Sequence, residues 1–157
     1  MSTRRPTAAL QDQPMPVRAK LAAGWTSFML LYAYVDVLGF YTPGVVKDIL
    51  DNKVFEFDLS QTFSATALTL MAVPIFMVVL STTLPARASR TTNLVVAALY
   101  VPVTIFNVAG GFYLYFYGLG VVLELAVLAL IVRYAWAWPR TTASSPDRDT
   151  VGAQQHA

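Results

Sequence analysis

The sequence predicts an all-α integral membrane protein, a four-helix transmembrane bundle running antiparallel, up-down-up-down, with both termini cytoplasmic. Three observations predict it. Of the 157 residues, 56% are hydrophobic and 13% charged, whereas a soluble domain averages roughly 45–50% and about 25%. Four apolar stretches, 21–40, 65–84, 94–110 and 112–138, approach or exceed the roughly 17–25 residues that carry a helix across a bilayer. Nine of the eleven basic residues then fall on one side of those stretches.

Four spans alternate sides. One side holds the N-terminal tail with Arg4, Arg5, Arg18 and Lys20, the connection with Arg87 and Arg90, and the C-terminal end with Arg133, Arg140 and Arg148. The other holds Lys47 and Lys53, offset by Asp48, Asp51, Glu56 and Asp58. Cytoplasmic connections carry the excess of Lys and Arg, so both termini are expected inside a bacterial cytoplasmic membrane. A cleaved signal peptide is the rival for the first stretch. Its apolar run is longer than an h-region and ends in Tyr and Pro, with no small-residue cleavage pattern.

Composition also excludes chemistry. There is no cysteine, and the one histidine is His156 in the tail, so thiolate or imidazole metal sites and a histidine-based triad lack their residues. A net charge of +2 gives no footprint for a nucleic-acid partner. Phosphate-loop, dinucleotide, zinc-protease and nucleophile-elbow motifs are missing. No cofactor is expected, and the partner is the lipid bilayer. Four helices enclose little volume, so a homo-oligomer or a larger membrane assembly is expected as well.

Residues 1–17 are read as a disordered cytoplasmic tail, 18–139 as the membrane domain, and 140–157 as a second disordered tail. The spans are placed at about 21–41, 62–84, 91–110 and 112–138, with an outer loop over 42–61. Trp25 suits an interfacial belt. Pro43 and Gly44 end the first span, one lacking a donor and the other conformationally loose. In the loop, Val45, Val46, Ile49 and Leu50 follow a short helical spacing, expected to lie on the membrane surface. The run from Val54 to Asp58 alternates and predicts an extended segment or turn, and Ser60 or Asp58 can N-cap the second span.

Pro74 and Pro102 each free a backbone carbonyl about one turn earlier, which neighbouring helices or hydroxyls must re-satisfy in a bilayer. They read as packing kinks, or as a hinge or polar pocket at that depth. Gly110-Gly111 predicts a tight turn between spans three and four. The aromatics from Phe112 to Tyr117 read as an interfacial belt or as a stacking surface for a ring-shaped ligand. Gly118 and Gly120 suit close helix packing. Ser81, Thr82 and Thr83 suit caps and interhelical bonds. Arg133, Tyr134, Trp136 and Trp138 anchor the last span at its cytoplasmic end.

Two acids fall within spans, Asp36 and Glu124. Insertion scales charge about 2.5–3.5 kcal/mol for Asp at membrane depth, so such residues mark a functional site by default. At the helical rise, Asp36 lies about 6 Å below the outer end and Glu124 about 10 Å below it. Asn107 falls in the same layer, and Tyr32 is one turn from Asp36 and within reach of it. The four are candidates for binding a ligand or a proton. The alternative is a buried hydrogen-bonded cluster that sets helix register.

Asp36 with Pro43-Gly44 after it, Pro74, Ser81 with Leu84, Arg87, Arg90 with Asn93, Glu124, and Tyr134-Ala135-Trp136-Ala137-Trp138 together resemble a family of small four-span bacterial integral membrane proteins known only as a domain of unknown function. The resemblance covers about residues 20–139. It points to Asp36, Glu124 and a cytoplasmic loop bearing Arg87, Arg90 and Asn93, and it implies no activity. That family tends to carry a Glu before the proline of span two. Here Ala72-Val73 precede Pro74, so no role for such an acid carries over. The layout is also distantly similar in shape to DoxX-type membrane proteins.

The leading expectation is a non-enzymatic multi-pass membrane protein with a polar outer-half pocket that binds a small ligand or a proton. The rivals are a small proton-coupled transporter, a quinone-linked oxidoreductase membrane subunit, and a structural accessory subunit.

Overall fold

A computed structural model describes residues 13–54, 57–106 and 113–139. Within them the chain is mostly helical: α1 (Val17–Gly39), α2 (Val45–Leu50), the strands β1 (Lys53–Val54) and β2 (Phe57–Asp58), α3 (Gln61–Thr83), α4 (Ala86–Phe106) and α5 (Leu114–Trp136). The 1–12 and 140–157 tails, Asn107 and Gly110-Gly111 lie outside the described residues.

Three of these helices, α1, α3 and α5, are long and apolar enough to cross a membrane. Their apolar residues are not confined to one stripe. Leu68, Phe76 and Val122 all point away from the core and are exposed, the pattern of a helix that is apolar all round. The fourth long helix, α4, differs because Arg87, Arg90 and Asn93 occupy its first two turns. These three residues were expected in a loop. They are helical because Leu84-Pro85 alone make the connection: Pro85 cannot continue α3, but its carbonyl accepts from Ser89 N at 2.8 Å and so starts α4.

The long helices pack in the ring order α1–α3–α4–α5, and α5 closes back on α1. The facing stripes follow helical spacing. α1 contributes Leu21, Trp25 and Phe28, α3 Pro74, Met77 and Ser81, α4 Ser89, Asn93, Ala97, Tyr100 and Thr104, and α5 Gly120, Glu124, Leu128, Ile131 and Ala135. Trp25, Phe28 and Tyr100 meet edge to face with centroids 5.8–6.3 Å apart. Trp25 is therefore fully buried, not an interfacial residue: its position in the inward stripe outweighs its nearness to the helix start. α1 and α5 approach closely. A Cβ on Gly24 would stand 2.7 Å from Ile131 Cγ1, and one on Gly120 3.0 Å from Val35 Cγ2.

At one end of the packet, the hairpin end, Gly44 takes φ +95° to leave the α1 turn, a conformation that L side chains avoid. α2 follows where the apolar spacing predicts it. Lys53 and Val54 then pair antiparallel with Asp58 and Phe57. Ser60 caps α3, its Oγ accepting from Phe63 N at 3.1 Å. At the opposite end, the terminal end, arginines from one helix reach the last carbonyls of another. Arg18 Nη1 donates to Thr82 O at 2.6 Å, and Arg90 Nε to Ala135 O at 3.2 Å. A helix C-terminus favours such cations.

Candidate functional site

Polar side chains interrupt the inward stripes at two levels. Near the terminal end, Asn93 is a hub. Its Oδ1 accepts from Trp25 Nε1 at 2.6 Å and from Ser81 Oγ at 3.0 Å, and its Nδ2 donates to Ser89 O at 2.7 Å. Ser89 Oγ donates to Ser81 O at 3.2 Å. All four side chains are fully buried and all are hydrogen-bonded. This network ties α1, α3 and α4 together, and Arg90 adds α5. Ser81 and Asn93 were singled out in the sequence, Asn93 as part of a loop. Ser89 was missed, although its i, i+4 spacing to Asn93 on one face is visible in the sequence.

The level nearer the hairpin end is different in kind. Glu124 is 2% exposed and Thr104 fully buried. They face each other from α5 and α4. Glu124 Oε2 and Thr104 Oγ1 are both sealed from solvent, within reach of each other but without a well-formed hydrogen bond between them or to any other described group. Buried polar atoms are nearly always well paired, so a sealed carboxyl whose one polar neighbour is a poorly placed hydroxyl calls for an explanation. Glu124 lies ten residues into α5, about 15 Å along it. Asp36 on α1 is exposed at the rim. Thr104 was not anticipated. Its position four residues beyond Tyr100 on the buried stripe of α4 is the signal that could have found it. Asn107 cannot be assigned to the layer, since it lies outside the described residues.

Tyr32 belongs to a neighbouring feature. A cleft of about 220 Å³ opens between α1, α3 and α4, lined by Phe28, Tyr32, Phe63, Tyr100 and Phe106 among others, with Val54 and Phe57 of the β-hairpin at its edge. Tyr32 packs on Phe28, with ring centroids 6.1 Å apart. In the same place Tyr100 Oη donates to Leu70 O. That carbonyl is the one Pro74 leaves without its helical donor. A hydroxyl from a neighbouring helix thus satisfies it, one of the two solutions the sequence anticipates.

Chemically, a buried carboxyl beside a hydroxyl can hold a proton, accept a donor from a ligand, or take a small cation. Among the described residues no three His, Cys, Asp or Glu side chains come together.

Fold and site define a class: a mostly helical protein with, among the described residues, three membrane-length helices and one fully buried carboxyl, Glu124, at the α4–α5 contact. The chain belongs to a family of unknown function (DUF6326), whose model matches residues 16–145. No curated protein and no solved structure matches it.

Proposed function

We propose that this chain is a multi-pass protein of the bacterial cytoplasmic membrane, a four-helix bundle that crosses four times with both tails inside. Its Glu124–Thr104 layer binds a proton or the donor group of a small ligand, and it is not an enzyme. The supporting observation is the buried Glu124 carboxyl, whose Oε2 has only the poorly aligned Thr104 Oγ1 beside it. Support for four crossings comes from the apolar sequence stretch 94–110 and from the nine basic residues on one side of the spans. Val17–Gly39, Gln61–Thr83 and Leu114–Trp136 supply the other crossings.

The test is infrared difference spectroscopy on the reconstituted protein during a pH step. A carboxylic-acid carbonyl band that titrates in the wild type and vanishes in Glu124→Gln supports the reading. Identical difference spectra for the two proteins overturn it.

A second reading, a small proton-coupled transporter, is favoured by the exposed Asp36 at the rim of the same layer, since two acids at different depths make a stepwise proton path. It predicts pH-gradient dissipation by proteoliposomes that both Asp36→Asn and Glu124→Gln abolish. Liposomes that hold the gradient with wild-type protein exclude it.

A further inference from the structure

The terminal end carries aromatic and cationic side chains that the Glu124 layer does not use. Tyr134, Trp136 and Trp138 each meet a cation: Lys20 Nζ lies 5.5 Å from the Tyr134 ring, Arg90 Cζ 5.7 Å from Trp136, and Arg18 Cζ 6.0 Å from Trp138. Arg18 and Arg90 also donate to helix-end carbonyls. Arg133 is exposed, and among the described residues none of these ring contacts or helix-end hydrogen bonds involves it. It stands instead at the mouth of an outward-facing groove of about 460 Å³ between α4 and α5. Ala97, Ala98 and Ala129 form its small-residue floor, Leu125 its far end, and Trp136 its mouth together with Arg133.

Three properties of this groove specify an occupant. Its lining is apolar except at the mouth, so water has too few partners to fill it. From Leu125 to Trp136 is eleven residues, about 16 Å of helix, and one leaflet of a bilayer core of about 30 Å is of the same depth. At the mouth, Arg133 and the Arg90 guanidinium over Trp136 put two positive charges at the height of the lipid headgroups, where basic pockets between helices select anionic lipids.

We propose that the α4–α5 groove binds an anionic phospholipid, one acyl chain lying along Ala97, Ala98 and Ala129 and the phosphate held by Arg133 with Arg90 beside it. The alanines leave room for the chain because each lacks the side-chain atoms that would fill the groove. Arg133 supplies fork-shaped donors to a phosphate oxygen pair, and Trp136, 70% exposed, covers the glycerol level as interfacial tryptophans do. The inference rests on the membrane-spanning reading but not on the Glu124 site.

The experiment compares the full chain, purified in mild detergent, with phosphatidylglycerol and with phosphatidylcholine of the same acyl chains. The readouts are melting temperature and lipid retained in native mass spectra. Wild type is expected to be stabilised by, and to retain, phosphatidylglycerol in preference. Arg133→Gln lowers that preference about fivefold, the effect of one arginine at an anionic surface, and Arg133→Lys keeps most of it. Ala129→Leu, which fills the groove and leaves both arginines in place, reduces retention of both lipids. Glu124→Gln changes neither, so a failed Glu124 reading leaves this one standing. Equal retention of the two lipids by wild type overturns the proposal. So does full preference in Arg133→Gln, unchanged lipid retention in Ala129→Leu, stabilisation by inorganic phosphate alone, or a dimer that Ala129→Leu dissociates, since the groove would then hold a second copy.

Discussion

Asn93, Tyr100 and Glu124 sit on comparable inward positions and do different things. Asn93 spends its amide on three helices. Interhelical hydrogen bonds in membranes average about 0.6 kcal/mol with a maximum near 1.7, so Asn93→Ala should cost about 2 kcal/mol in reversible detergent unfolding. Trp25→Phe loses the same bond and also leaves a cavity, so in the Asn93→Ala background it should cost less than it does alone by about the value of the shared bond. Tyr100→Phe leaves the Leu70 carbonyl without a donor, a loss of about 1–3 kcal/mol. Pro74→Ala returns the backbone N–H that this carbonyl lacks. The double variant Tyr100→Phe/Pro74→Ala should therefore lose clearly less than Tyr100→Phe alone. Additive losses would mean that the hydroxyl and the proline act separately. Glu124 inverts the expectation. Replacing a poorly paired buried carboxyl by an apolar side chain of similar size is neutral or stabilising. Glu124→Leu should melt at or above the wild-type temperature while losing the titrating carboxyl band, and a protein that no longer folds would make Glu124 a structural residue.

At the scale of elements, the junctions show how local chemistry sets the packing. Pro85 ends α3 and starts α4 within two residues, which brings Arg90 to the end of α5 and Asn93 into the core. Glycines do the same for α1 and α5. A methyl on Gly24 meets Ile131 Cγ1 at 2.7 Å, inside any real contact, so Gly24→Ala should lower the unfolding midpoint. Ile131→Ala should recover part of that loss when combined with it, although alone it destabilises by leaving a cavity. Gly118 meets nothing within 4 Å, and Gly118→Ala should be neutral or slightly stabilising through helix propensity. Gly120, two residues on, differs, since a Cβ there would stand 3.0 Å from Val35 Cγ2; the sequence Gly-Leu-Gly does not separate the two.

For the whole molecule, the proposed topology makes a direct prediction. The chain has no cysteine, so single introduced thiols report sidedness cleanly. On intact cells a membrane-impermeant maleimide should label Asp51→Cys at once and Thr150→Cys only after permeabilisation. The reverse pattern inverts the topology. Much of this molecule was legible in one dimension. Apolar length and the scarcity of charge define the membrane-length helices, since the cost of exposing backbone and charge to hydrocarbon depends on the residues themselves. Val45–Leu50 and Ser60 carry their helix and cap in local spacing, because those bonds span only three or four residues. Contacts across helices were not legible. That Trp25 is a core residue bonded to Asn93, that Tyr100 answers Pro74, and that Thr104 meets Glu124 depend on the rotation of each helix about its axis. On helices apolar nearly all round, the hydrophobic pattern does not specify that rotation. Only the tertiary packing, through close approach at Gly24 and Gly120 and the fit of the aromatic core, decides which few polar atoms are well hydrogen-bonded and which are not.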